Sequence, residues 1–382
     1  MPVSPAASAP VRPVIPPFLL ERIAEHSASN RRGVAVQHAS SSAARTLEID
    51  RELIDRRVGA TDNADRLSIR AADTETRPAT AVTPTRSVFD AQFARELPGI
   101  PVRREGQPAT GDASVDEAYE GLGVTFEFFR DVYGRDSLDG RGLPLDATVH
   151  YDRDYDNAFW DGERMVFGDG DGEVFGRFTA SLSVIAHELA HGFTQYTSRL
   201  AYSGQSGALN ESLSDVFGVL VEQYSLGQDA DHASWLVGEG LFLPAVEGRA
   251  LRSMIAPGTA YDDDVLGRDP QPADMNSYVE TTADNGGVHI NSGIPNRAFA
   301  LAAVGLGGPS WDRAGQVWFD VCTDPSLSPT VDFEGFASAT VQAAGSRFGE
   351  ESDVRRVVAH AWASVGVAAR DDDFSGSTTR RT

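Results

Sequence analysis

At 382 residues, 41% of them hydrophobic, the chain exceeds one usual core and is apolar enough to bury one. It carries 33 basic against 56 acidic side chains, a formal charge of −23, and every basic residue is arginine; this balance suits solubility and argues against nucleic acid as a partner, because phosphates would be repelled. The single Cys322 excludes an internal disulfide and reads as a small buried hydrophobe at the end of a helix.

Residues 1 to about 20 are rich in Pro, Ala, Val and Ser. They lack a positively charged start followed by a long apolar run, so no ordinary signal peptide is visible, and no transmembrane stretch follows anywhere. Pro16-Pro17 fit a polyproline turn before a helix. The sequence after them, through Arg56-Arg57, is arginine-studded and helix-compatible, and Ala71 to Pro84 reads as a Thr/Ala/Pro-rich linker. From Arg86 to about Phe178, short alternating stretches and glycine turns predict a β-rich lobe. One helix is expected within it, over residues 111 to 132, where Val115, Tyr119, Leu122, Phe126 and Phe129 recur at three- and four-residue steps. Asp169-Gly170-Asp171 reads as a hairpin turn, and Asp262-Asp263-Asp264 as a solvated loop.

The pentad His187-Glu188-Leu189-Ala190-His191 carries the chemistry. Residues four apart share a helical face, so both imidazoles can reach one metal while Glu188 points toward the same space without ligating. A helix with two satisfied histidines would have the same spacing. Downstream, residues 207 to 224 predict a second helix with Leu213, Val216, Phe217, Leu220 and Tyr224 on its apolar face and Ser206 as cap. Glu211 and Asp215 lie four apart on it, so Glu211 could be the third ligand. Asp215 and Asn210 would then serve as partners for the free ring nitrogens of His187 and His191. Two nitrogens and one carboxylate leave a fourth position open for water, the mark of a catalytic zinc. Beyond Asn291 the pattern is helical over residues 294 to 306, 310 to 321, 332 to 348 and 352 to 365. The last dozen residues, with Asp371-Asp372-Asp373, read as a disordered tail.

Val149-His150-Tyr151, Asn157-Ala158-Phe159-Trp160, Met165 to Asp171, the pentad, Ser206 to Glu211, Leu251 to Met254 and Asp284 to Gly293 together resemble the thermolysin-like zinc metallopeptidases, in that family's order. The resemblance covers roughly Arg86 to Val367. It implies an α+β, two-lobed thermolysin-like (zincin) fold: a β-rich N-terminal lobe, a central zinc-binding helix and a mainly α-helical C-terminal lobe. It implies a neutral endopeptidase in which Glu188 is the general base for a zinc-bound water. Tyr202 and His289 match the oxyanion donors, worth about 3 kcal/mol each, and Asp284 the group that orients His289. Asn157 and Ala158 match the edge strand that pairs with extended polypeptide substrates, and Arg252 the arginine on the leaving-group carbonyl. Phe175, Phe178, Val184, Val237, Leu241 and Leu251 match pocket positions that favour cleavage before bulky hydrophobic residues, although each alone also fits plain core.

Ile15 to Ile23 resembles the short precursor segment of protealysin-type members, in which a proline pair opens the propeptide; this implies a zymogen whose prosegment lies over the cleft as an intramolecular inhibitor. The expected organisation is a prosegment at 1–60, a linker at 61–86, an N-terminal peptidase lobe at 87–195, a helical lobe at 196–369 and a tail at 370–382. Thr194 and Thr197 stand where a metzincin needs Gly and His, which closes that option, and a zinc aminopeptidase motif is missing. Ser183 and Leu236 replace acidic calcium ligands of thermolysin, so Glu222 and Glu239 make a poor cage and calcium dependence is expected to be weak or absent. Family habit implies secretion, whereas the missing signal leaves a cytoplasmic location open; a monomer without membrane contact is expected. The competing function class is a zinc-containing binding relative that lost its chemistry, against which Glu188, Tyr202 and His289 are all present.

Overall fold

The computed structural model describes residues 12–26, 34–58 and 83–369. Residues 1–11, nearly all of the linker and the acidic tail, on which three of the expectations above fall, lie outside the described residues. Three strands, β4 (Leu145–Val149), β2 (Arg86–Asp90) and β6 (Met165–Phe167), run parallel at the heart of a six-stranded sheet, with β3 (Ile100–Arg104) and β5 (Ala158–Trp160) antiparallel on either side. The sixth strand comes from far outside that lobe. β1 (Arg12–Pro13) caps the edge of β5, with Arg12 opposite Trp160 and Pro13 opposite Phe159. A proline there costs no ladder bond that an interior strand would need.

Two helices follow β1. Pro17 opens α1 (Pro17–His26), where a missing N–H is harmless, and α2 (Val34–Val58) packs back on it. In the β-rich lobe α3 (Ala113–Tyr133) starts at Asp112, whose carboxylate accepts from Val115 N, and stops at the left-handed Gly134. The expected apolar face is buried.

Helix α4 (Leu182–Tyr196), which carries the His187–His191 pentad, lies against α5 (Gly204–Leu226) over most of its length. Gly218 makes this possible. A Cβ there would sit 2.7 Å from Ser183 O and 3.4 Å from the His187 Cβ, so any side chain would push the two helices apart. Helix α5 begins three residues before the sequence suggested, with Ser203 extended at its start; Ser206 is inside the first turn, and its hydroxyl donates to the Ala201 and Ser203 carbonyls instead of capping.

Small strands β7 (Leu236–Val237) and β8 (Arg252–Ser253) pair with each other, β7 lying against α5. The acidic run at 262–264 is not a plain loop: β9 (Asp262–Asp263) pairs with β10 (Gly267–Arg268), and Asp263 Oδ1 accepts from Val265 N and Leu266 N to hold the turn. Asp169-Gly170-Asp171 follows β6 as a loop and not as a hairpin; Asp169 bonds Ser114 and His150, while Asp171 accepts three backbone N–H groups at 173–175. The helical lobe is completed by α6 (Asp284–Asn291), α7 (Gly293–Leu306), α8 (Ala314–Thr323), α9 (Phe333–Phe348) and α10 (Asp353–Ser364). Cys322 is buried within it, and burial raises its thiol pKa. Among the described residues no helix is long and apolar enough to cross a membrane.

Candidate active site

Helical spacing puts His187 and His191 on the face of α4 that meets Glu211 on α5. The nearest contacts from Glu211 to the two Nε2 atoms are 3.6 and 3.4 Å. One ligand atom from each residue can be chosen so that all lie within 4.8 Å of one another, and among the described residues no other group of three His, Cys, Asp or Glu does so. All three are buried, yet His187 Nε2, His191 Nε2 and Glu211 Oε2 have no hydrogen-bond partner. Buried polar atoms are rarely left so. Three converging orphaned ligand atoms of the N,N,O type fit one zinc ion.

Each imidazole is aimed by its other nitrogen. His187 Nδ1 lies 2.8 Å from Asp215 Oδ1, and His191 Nδ1 lies 3.0 Å from Asn210 Oδ1 and from Ser214 Oγ. Protons on the two Nδ1 atoms leave the Nε2 lone pairs facing Glu211. Burial, followed by the charges of His187 and Arg12, lowers the His191 pKa well below its ordinary value, so the ring stays neutral as a ligand must. Burial would raise the Asp215 pKa, but the charge of Arg252 and the hydrogen bond from His187 hold it well below the usual carboxylate range. Arg252 reaches Asp215 through two nitrogens at 2.8 Å, and Asn296 adds a third donor at 2.8 Å.

Glu188 sits on the same face. Its Oε2 accepts from Trp160 N at 2.9 Å, which leaves Oε1 buried and unpartnered near Glu211. Burial and the neighbouring Glu211 charge raise its pKa well above the ordinary value. Across the cleft Asp284, Asn285, Gly286 and Gly287 take left-handed backbone angles, and this turn brings the Asp284 carboxylate to both His289 N (2.9 Å) and His289 Nδ1 (2.6 Å). Burial would lower the His289 pKa; the charges of Asp284 and Glu211 outweigh it and raise the imidazole to about 9. Its Nε2 lies 3.3 Å from Tyr202 Oη. Tyr202 does not face open space: its hydroxyl donates to Glu211 Oε1. Phe175, Phe178, Val184, Val237, Leu241 and Leu251 are all buried in the main apolar cluster.

The amino-terminal segment meets the substrate-matching residues. Val14 N donates to Ala158 O (3.0 Å), Ile15 N to Asn157 Oδ1 (2.9 Å), Asn157 Nδ2 to Ile15 O (3.3 Å) and Arg252 Nη1 to Val14 O (3.2 Å), while Pro13 O lies 3.3 Å from His289 Nε2. Arg12 is buried over the Tyr202 ring, 4.9 Å from its centre, and donates to Asn210 Oδ1 at 3.1 Å. From α2, Asp50 bonds Tyr155 Oη (2.5 Å) and Asn157 Nδ2 (2.9 Å), and Arg45 pairs with Asp152 at 2.6 Å. Arg12, Asp50, Tyr155 and Asn296 escaped the sequence reading, since nothing local in Pro/Val-rich or helical sequence marks a contact more than eighty residues away.

Residues 53–195 match the model of the thermolysin metallopeptidase catalytic domain, and residues 198–367 that of the thermolysin metallopeptidase alpha-helical domain. The chain is 49% identical over 365 residues to an extracellular metalloprotease of Pectobacterium carotovorum subsp. carotovorum, covering 96% of this chain and 99% of the relative. It is 42% identical over 365 residues to protease PrtS of a Photorhabdus species, covering 94% and 93%. The solved precursor of protealysin, a metalloproteinase from Serratia proteamaculans, superposes with a TM-score of 0.81 at 48% identity, covering 94% of this chain and all of that one. Fold, candidate ligand triad and relatives agree: the chain belongs to the thermolysin family of metallopeptidases, as a zinc-dependent neutral endopeptidase made as a zymogen.

Proposed function

We propose that His187, His191 and Glu211 hold the zinc and that Glu188 is the general base that hydrolyses peptide bonds before bulky hydrophobic residues. The observation that carries this reading is the unpartnered Glu188 Oε1 beside three orphaned ligand atoms. Bound zinc supplies Lewis-acid polarisation and a more acidic water. The rest falls to side chains. Glu188 Oε1 takes the proton of the attacking water and delivers it to the departing nitrogen, for which its raised pKa suits it. His289, charged through Asp284, donates from Nε2 to the oxygen that gains charge, and Tyr202 becomes a second donor there once it turns from Glu211. Asn157, Ala158 and Arg252 hold the substrate main chain. Val184, Leu251 and Phe175, apolar and buried, support a preference for a large hydrophobic side chain after the cut bond.

The prosegment, residues 1–60, acts as intramolecular inhibitor and is joined by a 61–86 linker to the two lobes at 87–195 and 196–369, with 370–382 as a tail. The name of the Pectobacterium relative supports secretion of the protein. Ser183, whose hydroxyl accepts from Gly238 N, and the buried Leu236 offer no carboxylate to calcium. Millimolar calcium is therefore expected to leave Tm unchanged, and the enzyme to run as a monomer in sedimentation. The deciding experiment compares wild type with Glu188→Gln on an internally quenched peptide carrying Leu after the scissile bond. Wild type is expected to cut before Leu, and the variant to bind one zinc while losing about 10²–10⁴-fold in rate or more. A variant that keeps wild-type turnover would remove Glu188 from the reaction.

A further inference from the structure

Residues 12–15 do more than cover the cleft. The contacts around them have an order: the carbonyl of Pro13 faces the His289 donor, the next N–H, of Val14, donates to Ala158 O, the next carbonyl accepts from Arg252, and Ile15 uses both its main-chain groups on Asn157. An extended substrate held on this edge would use its main-chain groups in the same order, with one carbonyl at the oxyanion donor and the following residue against the apolar cluster. Val14 is wholly buried in the cluster that contains Val184 and Leu251. Arg12 and Pro13 pair with β5 as a strand would, and Pro13 lacks only an N–H.

We propose that the Pro13–Val14 peptide bond is itself a substrate of this active site, held in productive register and cut within the same molecule. The inference rests on the functional reading above. In the reaction a water oxygen bonds to the Pro13 carbonyl carbon, the C–N bond to Val14 breaks, and a Pro13 carboxylate and a Val14 amine result. The cut does not unlock the enzyme. Val14 O, both main-chain groups of Ile15 and the whole of α1 and α2 stay in place, with Asp50 still on Asn157, so residues 14–58 remain as a product held on the leaving-group side. Processing at this bond is thus separate from, and precedes, release of the prosegment.

The test uses the full zinc-loaded chain, sampled at short times and analysed by mass spectrometry for new amino termini. A terminus at Val14 is expected, together with the peptide of residues 1–13, at a rate that does not change when the protein is diluted tenfold. Glu188→Gln is expected to yield none, and Val14→Asp, which puts a charge among apolar groups, to slow this cut at least tenfold. Hydrogen exchange on the metal-free chain reads the register without activity: the Val14 and Ile15 amides are expected to be protected in wild type and to exchange at least tenfold faster in Val14→Asp. If the wild type cuts the quenched reporter after maturation but never shows a Val14 terminus, this inference is overturned and the endopeptidase reading stands. A rate that scales with concentration overturns the intramolecular step. If neither reporter nor Pro13–Val14 is cut, the functional reading itself falls.

Discussion

The centre between α4 and α5 and the seam between α2 and residues 151–157 each bury a carboxyl group, Asp215 in one and Asp50 in the other, and they hold it in opposite ways. Asp215 meets a buried cation, Arg252, through two nitrogens, with His187 and Asn296 as further partners, and stays ionised throughout the working range. Asp50 meets only the neutral donors Tyr155 and Asn157, and burial pushes its pKa up to about 7, against the pull of those two hydrogen bonds. A charge matched by a buried charge is insensitive to pH; a carboxyl matched by neutral donors is strongest as the acid. Asp215 stands behind the candidate ligand His187, and Asp50 stands where the prosegment docks.

The largest effect expected from breaking the first arrangement is that of Asp215→Ala. It strands the Arg252 guanidinium in the interior and unaims His187. Removing one partner of a buried pair costs about 3–5 kcal/mol, and losing the orienting partner of a metal-bound histidine costs about 10–100-fold in metal affinity. Urea unfolding and a zinc-chelator competition read the two separately. Stability within about 1 kcal/mol of wild type, below that range, would mean that Arg252 finds another partner and that the pairing is not what fixes the site.

Asp50 gives the next effect, and its sign follows from the direction of the shift. The prosegment-bound carboxyl has a raised pKa, so docking favours the acid form. There is no penalty below the free value of 3.8; it grows as pH rises from there and saturates above about 7. Across that window the prosegment grip is expected to weaken by up to about 1.4 kcal/mol, or tenfold, per pH unit. Other charges face this seam: Arg45 and Arg95 pair with Asp152, Arg95 also lies 3.5 Å from Glu52, Asp156 is buried close by, and Glu188 lies near Tyr155. Asp50→Asn isolates the one group. Hydrogen exchange of α1 and α2 amides in a Glu188→Gln background, from pH 4.5 to 7.5, is expected to steepen with pH when Asp50 is present and to flatten with the amide. Coincident profiles would erase the contrast between the two carboxyls.

A smaller effect probes the contact that lets α4 and α5 approach each other. Gly218→Ala places a Cβ against Ser183 O on α4, and overpacking of this kind costs about 1–3 kcal/mol. The strain falls on the helix that carries His187, so zinc affinity is expected to drop with stability. A full-affinity variant would show that α4 and α5 slide without disturbing the ligands.

These contrasts also explain which parts were legible in the sequence. The triad and its Asp215 and Asn210 partners could be read because a helix fixes the relation of residues four apart, and both halves of the site lie on helices. Asp284 and His289 could be read only through resemblance: their contact depends on a left-handed Asp-Asn-Gly-Gly turn that periodicity does not encode. The four helices beyond Asn291 appeared within a few residues of their expected limits, the short helix at Asp284–Asn291 was not expected, and the start of α5 was misread because an interior serine can mimic a cap. The seam was invisible. Arg12 against Trp160, and Asp50 against Asn157, are long-range pairings, and an aspartate within an arginine-studded helix looks like any solvated acidic residue.

The seam has a charged component too, and its removal is expected to be the mildest change of all. Arg45 reaches Asp152 at 2.6 Å, but half of its side chain is in solvent, and Arg95 holds the same carboxylate at 2.7 Å with the Arg153 N–H as a further donor. Arg45→Ala therefore leaves Asp152 paired, and a half-exposed ion pair contributes at most about 1 kcal/mol. Prosegment protection in hydrogen exchange is expected to fall less than about fivefold, and the difference to shrink further at high salt, where exposed charges are screened. A larger and salt-resistant loss would mean that the seam is held by charge as the metal centre is, and that the neutral contacts of Asp50 do not set when the prosegment leaves.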